Sequence, residues 1–95
     1  MVTVSKGKAF TNSVCSTSGC ALLTVTGAHL KATTTYTIKY YSNVGDSTPW
    51  ATETVTTDVN GTFIVTDYVF GYSGSQVWAS ATNGSTTITS SKLTW

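Results

Sequence analysis

Apolar and polar residues alternate with a period of two along most of the chain, and turn residues interrupt them at short intervals. The pattern predicts β-strands, because successive side chains of a strand point to opposite faces of its sheet. A short first strand is expected at 2–4, and a second at 21–26 with Leu23 and Val25 on one face. Residues 27–31 read as a turn that drops Leu30 back toward the core. The clearest strand is 34–41: Tyr36, Ile38 and Tyr40 line one face, and Thr35, Thr37 and Lys39 the other. A loop around Gly45-Asp46 follows over 42–49. Alternation resumes over 50–57, with Val55 inward or at an edge. The segment 62–70 places Phe63 and Val65 inward. In 75–81, Val77, Ala79 and Ala81 share one face and Trp78 takes the other. No amphipathic helix is evident.

Turn chemistry punctuates these runs. Asp58-Val-Asn-Gly61 and Asn83-Gly84 both predict hairpins, since Asn and Gly reach positive φ at little steric cost. The last strand, 86–95, carries a conflict of parity. Ile88 and the pair Leu93, Trp95 would face opposite ways in a regular strand. One extra residue near Ser90-Ser91 restores the register, so a bulge is expected there. Seven strands at this spacing predict a two-sheet sandwich or a small barrel. With no linker or internal repeat, residues 1–95 form one domain.

Composition changes the picture of the surface. Charged residues are 9% of the chain and Arg is absent, against about 25% charged in an average protein. Ser and Thr make up roughly a third, so hydroxyls wet the surface in place of charges. The net charge is +1 and the Lys residues are scattered. Nucleic acid is therefore not an expected partner, because duplex binding draws its affinity from phosphate neutralisation. No apolar run approaches the roughly 20 residues of a membrane helix. The segment Met1-Val-Thr-Val-Ser-Lys lacks the apolar run of a signal peptide. Low charge offers little protection against self-association, which makes a homo-oligomer an expected partner state.

Candidate chemistry is sparse. Cys15 and Cys20 are spaced C-x4-C in a loop at 12–20, and a disulfide staple is the favoured reading over free thiols or a metal. Zinc needs four ligands, and the single His29 is the only other soft donor. No metal or cofactor is expected. His29 reads as a turn residue, and no nucleophile signature accompanies it. The acids Asp46, Glu53, Asp58 and Asp67 fall in different turns and strands without calcium-loop spacing. They read as solvated residues, although paired carboxylates could form in space. Asn60-Gly-Thr62 and Asn83-Gly-Ser85 match the glycosylation pattern, but hairpin turns in a Ser/Thr-rich chain produce it by coincidence. An enzyme is not expected.

The aromatic residues are the most informative. Tyr36, Tyr40 and Phe63 suit a core. Trp50, Trp78, Tyr41 and Tyr72 read as outward or partly exposed, which makes them interface candidates, because such rings bury large area at small entropic cost.

At this point a resemblance emerges. The run Leu23-Thr-Val-Thr-Gly27, then Leu30-Lys31, then Thr35-Tyr-Thr-Ile38, resembles the second and third strands of bacterial and phage immunoglobulin-like modules. Asp58-Val-Asn-Gly-Thr-Phe63, followed by Val77-Trp-Ala79-Ser-Ala81, resembles them too. The likeness covers roughly residues 20 to 95. It lacks the antibody hallmark of an inter-sheet Cys pair. It implies an all-β, immunoglobulin-like two-sheet antiparallel sandwich of about seven strands. It also implies a virion structural protein, made in the host cytoplasm, that decorates the head exterior by docking on the major capsid protein or another virion protein. Trp50, Trp78 and the Cys15–Cys20 loop are the expected contacts. The alternative is a spacer, adhesion or carbohydrate-binding module of a secreted bacterial surface protein, with Trp50 and Trp78 as stacking platforms. A third reading, ice binding through threonine ladders, meets the objection that the chain has no fixed repeat period.

Overall fold

The alternation resolves into eight strands. A computed structural model describes residues 1–44 and 48–95. The expected Gly45-Asp46 loop centre lies outside those residues. The strands are β1 (Val2–Ala9), β2 (Ala21–Gly27), β3 (Thr35–Ser42), β4 (Ala51–Thr56), β5 (Phe63–Phe70), β6 (Gln76–Asn83), β7 (Thr86–Thr89) and β8 (Leu93–Thr94). One sheet has the order β1-β2-β5. The other has the order β4-β3-β6-β7, with β8 also paired to β6. Every pairing is antiparallel. With β1, β2 and β5 as strands A, B and E, and β3, β6 and β7 as C, F and G, this is the immunoglobulin-like sandwich. The fourth strand has moved from the ABED sheet to the free edge of strand C.

The inward faces are those the alternation assigns. Tyr36, Ile38, Tyr40, Phe63, Val77 and Ala79 are all buried, with Leu23, Val25 and Ala81 beside them. Leu30 packs against this core from the β2–β3 connection. His29 sits at a bend there with φ 57°.

The final strand contains the expected bulge. β7 pairs Ser80 with Thr89, whereas β8 pairs Val77 with Leu93. Three residues of the last strand therefore face two of β6, and Ile88, Leu93 and Trp95 all pack on the core. Two further bulges have no counterpart in the sequence reading. The β2–β5 register shifts between Leu23 and Val25, opposite Tyr68 and Val65, and the β1–β2 register shifts between Lys6 and Ala9.

Two expectations need correction. β1 runs to Ala9 and not merely to Val4. Beyond Val4 its side chains are exposed, so no apolar alternation marks the extension. Lys6 and Lys8 lie on this edge strand, where charge discourages pairing with another chain. Second, the 58–61 turn is no hairpin, because β4 and β5 belong to different sheets. The turn itself is tight: Gly61 has φ 73° and its N–H donates to Asp58 O at 3.1 Å. Its outer bonds reach the β2–β3 connection, through Leu30 N to Gly61 O (3.1 Å) and Thr33 N to Asp58 O (3.0 Å). Those bonds hold it as a corner between the sheets.

Candidate functional site

One end of the sandwich is built from aromatic rings. Tyr40 points inward from the end of β3 and is fully buried. Trp50 precedes β4, and its N–H donates to Tyr40 O at 2.8 Å. The β5 bulge supplies the other rings. After Val65 the extra residue resets the parity, so Tyr68 and Phe70 turn inward. Ring centroids lie 5.4 Å apart for Tyr40–Trp50, 4.9 Å for Tyr40–Tyr68 and 5.9 Å for Trp50–Phe70. Phe70 also meets Tyr72 at 5.6 Å and Trp95 at 5.2 Å, both edge to face.

The disulfide loop walls this cluster. Cys15 and Cys20 are bonded, with Cα atoms 6.0 Å apart. The closed ring is short, so it contributes about 2 kcal/mol by chain entropy. Packing fixes its place. A side chain at Gly71 would collide with both sulfurs, and Trp95 Nε1 donates to Gly19 O at 2.8 Å. Asn12 Oδ1 accepts from the N–H groups of Val14 (2.9 Å) and Cys15 (2.7 Å), which shapes the loop. Between loop and rings lies a cleft of about 660 Å³, lined by Asn12, Val14, Cys15, Val44, Trp50, Phe70 and Tyr72 among others. Val14, Val44, Trp50 and Tyr72 are exposed apolar side chains gathered at this one place. The remaining exposed ones, Met1, Phe10, Val59 and Ile64, lie outside it.

The four aromatic interface candidates fall into two groups. Trp50 and Tyr72 line the cleft. Tyr41 and Trp78 are cross-strand partners on the outer face of the five-stranded sheet, with rings 6.0 Å apart and nearly parallel. Lys92 Nζ sits 4.5 Å from the Trp78 ring centroid. Trp50 and Trp78 therefore do not share one platform. The sequence reading missed Tyr68 and Phe70 as site residues, because only the β5 bulge turns them toward the cleft. Several threonines share that outer face with Lys39 and Ser80. Thr54, Thr37, Thr82 and Thr87 align in one row across four strands. The hydroxyls of Thr35 and Thr56 (3.0 Å) and of Thr82 and Thr87 (3.2 Å) bond each other.

Among the acids, Glu53 is partly buried and Asp67 is exposed. Glu53 lies on the inward side of edge strand β4, opposite Ile38. Tyr40 OH donates to Glu53 Oε2. Burial raises the Glu53 pKa above its ordinary value, and the neighbouring Asp67 raises it further, against an opposing pull from Tyr40. Burial and then the Glu53 contact push the Tyr40 phenol far up. Asp58 goes the other way: hydrogen bonds from the Thr62 hydroxyl and N–H and from Asn60 N–H lower its pKa. Among the described residues no three His, Cys, Asp or Glu side chains converge in a metal-ligand cluster.

Compared with known proteins, the chain matches no family model, no curated protein and no solved structure.

Proposed function

We propose that this protein is a non-catalytic virion structural protein, a decoration domain that docks on the major capsid protein at the head exterior. The observation that carries the docking reading is the aromatic cleft. Four exposed apolar side chains, Val14, Val44, Trp50 and Tyr72, surround it, while the other four, Met1, Phe10, Val59 and Ile64, line no part of it. Exposed apolar residues gathered in one patch mark interaction sites, whereas singly scattered ones do not. The virion setting rests on the resemblance to phage immunoglobulin-like modules. A stable complex needs about 800 Å² from each partner, so the docked face extends from the cleft onto the flanking loops.

The test is co-sedimentation with capsids that lack the protein. Binding is expected, and Tyr72→Ala should weaken it by about thirtyfold, the effect of a central aromatic anchor worth about 2 kcal/mol. Tyr72 is 61% exposed, so its removal leaves the core intact. Trp78→Ala, on the other face, should bind as the parent does. Failure of the parent protein to co-sediment would end this reading.

The Cys15–Cys20 disulfide favours a second reading, a module of a secreted bacterial surface protein, since such bonds persist in oxidising surroundings. A glycan array probes its carbohydrate-binding form. Hits abolished by Trp50→Ala would support it, and an array without hits would count against it.

A further inference from the structure

The loop that connects β1 to β2 is exposed from Thr11 to Ser18 except at Cys15. Phe10 N–H donates to Cys20 O at 3.1 Å and closes its base. Two further bonds stay inside it: Asn12 N–H to Cys15 O at 2.8 Å and Cys20 N–H to Thr17 O at 3.2 Å. Such bonds shape the loop without placing it on the sandwich. A seat made of two glycines places it. The space over Gly71 is filled by both sulfurs, and Gly19 lies as closely against Gly71 O and Ser73 Oγ. Trp95 Nε1 donates to Gly19 O at 2.8 Å and ties the loop to the end of the last strand. Phe70 and Tyr72, two rings of the cleft, flank Gly71 in sequence. The disulfide therefore rests on the backbone that carries those rings. Bonded sulfurs need less room than two thiols, which separate to van der Waals contact. A seat too tight for a methyl group cannot take the thiols, so breaking the bond displaces the loop from Gly71.

We propose that the Cys15–Cys20 bond is a redox latch on the cleft. Bonded, it holds the wall that carries Asn12, Val14 and Thr17 against the Gly71 seat. As two thiols, it releases that wall, and the cleft is no longer assembled. The partner is that of the docking reading, on which this inference rests; the release of the loop is a property of the free chain. Closing the latch passes two electrons and two protons from the thiols to a low-molecular-weight disulfide, which departs as two thiols. A small thiolate reverses it. It attacks Cys15 Sγ, since Cys15 is half-buried and Cys20 is 2% exposed. Cys20 leaves as a thiolate, and a second small thiolate resolves the mixed disulfide on Cys15. A reducing cytoplasm keeps thiols reduced, so docking is expected to strengthen on release into oxidising surroundings.

The test compares the whole chain before and after reduction by a phosphine, which ends as its oxide by taking oxygen from water. Cys15 and Cys20 are the only cysteines, so a single bond is broken. Exchange of the Trp95 indole N–H, followed by NMR, should quicken about tenfold, within the roughly thirtyfold that closing so short a ring is worth. Amides of the β3–β6 ladder should keep their protection. An unchanged indole rate would overturn the latch. So would uniform loss through β3 and β6, which would make the bond a support of the whole fold. The double variant Cys15→Ser, Cys20→Ser should exchange like the reduced parent with or without phosphine, and a rate equal to that of the oxidised parent would also overturn the latch. In co-sedimentation with capsids that lack the protein, the oxidised form should bind about tenfold more tightly than the reduced form. Equal binding would overturn the latch and leave the docking reading standing. Binding of neither form would end the docking reading, while the indole rate still decides the latch.

Discussion

Thr57 shows how much a single side chain decides. It is 3% exposed, directly after β4. Its hydroxyl donates to Lys31 O at 2.7 Å and accepts from Thr34 N–H at 2.9 Å. These bonds pin the start of β3 beside Thr33, which holds φ 49°, an uncommon conformation for a β-branched residue. Such a backbone costs about 1–3 kcal/mol and persists only where its surroundings over-determine it. Thr57→Val keeps the shape and removes the hydroxyl, leaving Lys31 O and Thr34 N–H without that partner. A loss of about 1–3 kcal/mol in denaturant unfolding is expected. A loss under 0.5 kcal/mol would mean that water reaches both groups. Gly61, in the neighbouring corner, has no such freedom of substitution: its φ is positive and an added side chain would strike Leu30 O.

At the scale of elements, bulges place the functional residues. In the last strand the bulge takes Ala79 N–H out of the regular ladder, and Ser90 Oγ accepts its hydrogen bond at 3.0 Å. The same hydroxyl donates to Ser91 O at 3.0 Å. Ser90→Ala should cost about 1–3 kcal/mol, since Ala79 N–H is buried. Hydrogen exchange should show where: β8 is expected to lose protection while the β6–β7 hairpin keeps it. Uniform loss across both would show that β7 and β8 unfold as one unit. The β5 bulge acts on the site itself, because it turns Tyr68 and Phe70 toward the cleft.

For the molecule as a whole, two carboxyl groups set opposite limbs of the pH profile. Asp58 has its pKa lowered by hydrogen bonds to its ionised form. Its contribution is present above the ordinary aspartate value of about 3.9 and is lost as pH falls through the lower folded value. Glu53, whose pKa is raised, contributes stability that is present below its ordinary value of about 4.3 and is lost as pH rises through the folded value. Tm is therefore expected to fall toward strong acid, and Asp58→Asn should flatten that acid limb while leaving the Glu53 limb in place. An acid limb of unchanged slope in Asp58→Asn would assign it to other groups.

The alternation of side chains was enough to determine where most strands lie, the inward faces of the central ones and the bulge at Ser90-Ser91, but not the length of β1 or the inward turn of Tyr68 and Phe70. Parity is a local property, and a parity conflict such as Ile88 against Trp95 is visible in the chain itself. The all-β, two-sheet antiparallel sandwich was legible in the alternating stretches and the turns between them. What only the tertiary structure decided depends on pairing between distant strands. The 58–61 turn has hairpin chemistry, yet Leu30 and Thr33 bind it as a corner between sheets. Tyr41 and Trp78 look like neighbours of Trp50 in character but lie on another face, because sheet register and not sequence distance joins them. Tyr68 and Phe70 line the cleft with Trp50 only because one extra residue in β5 turns them inward.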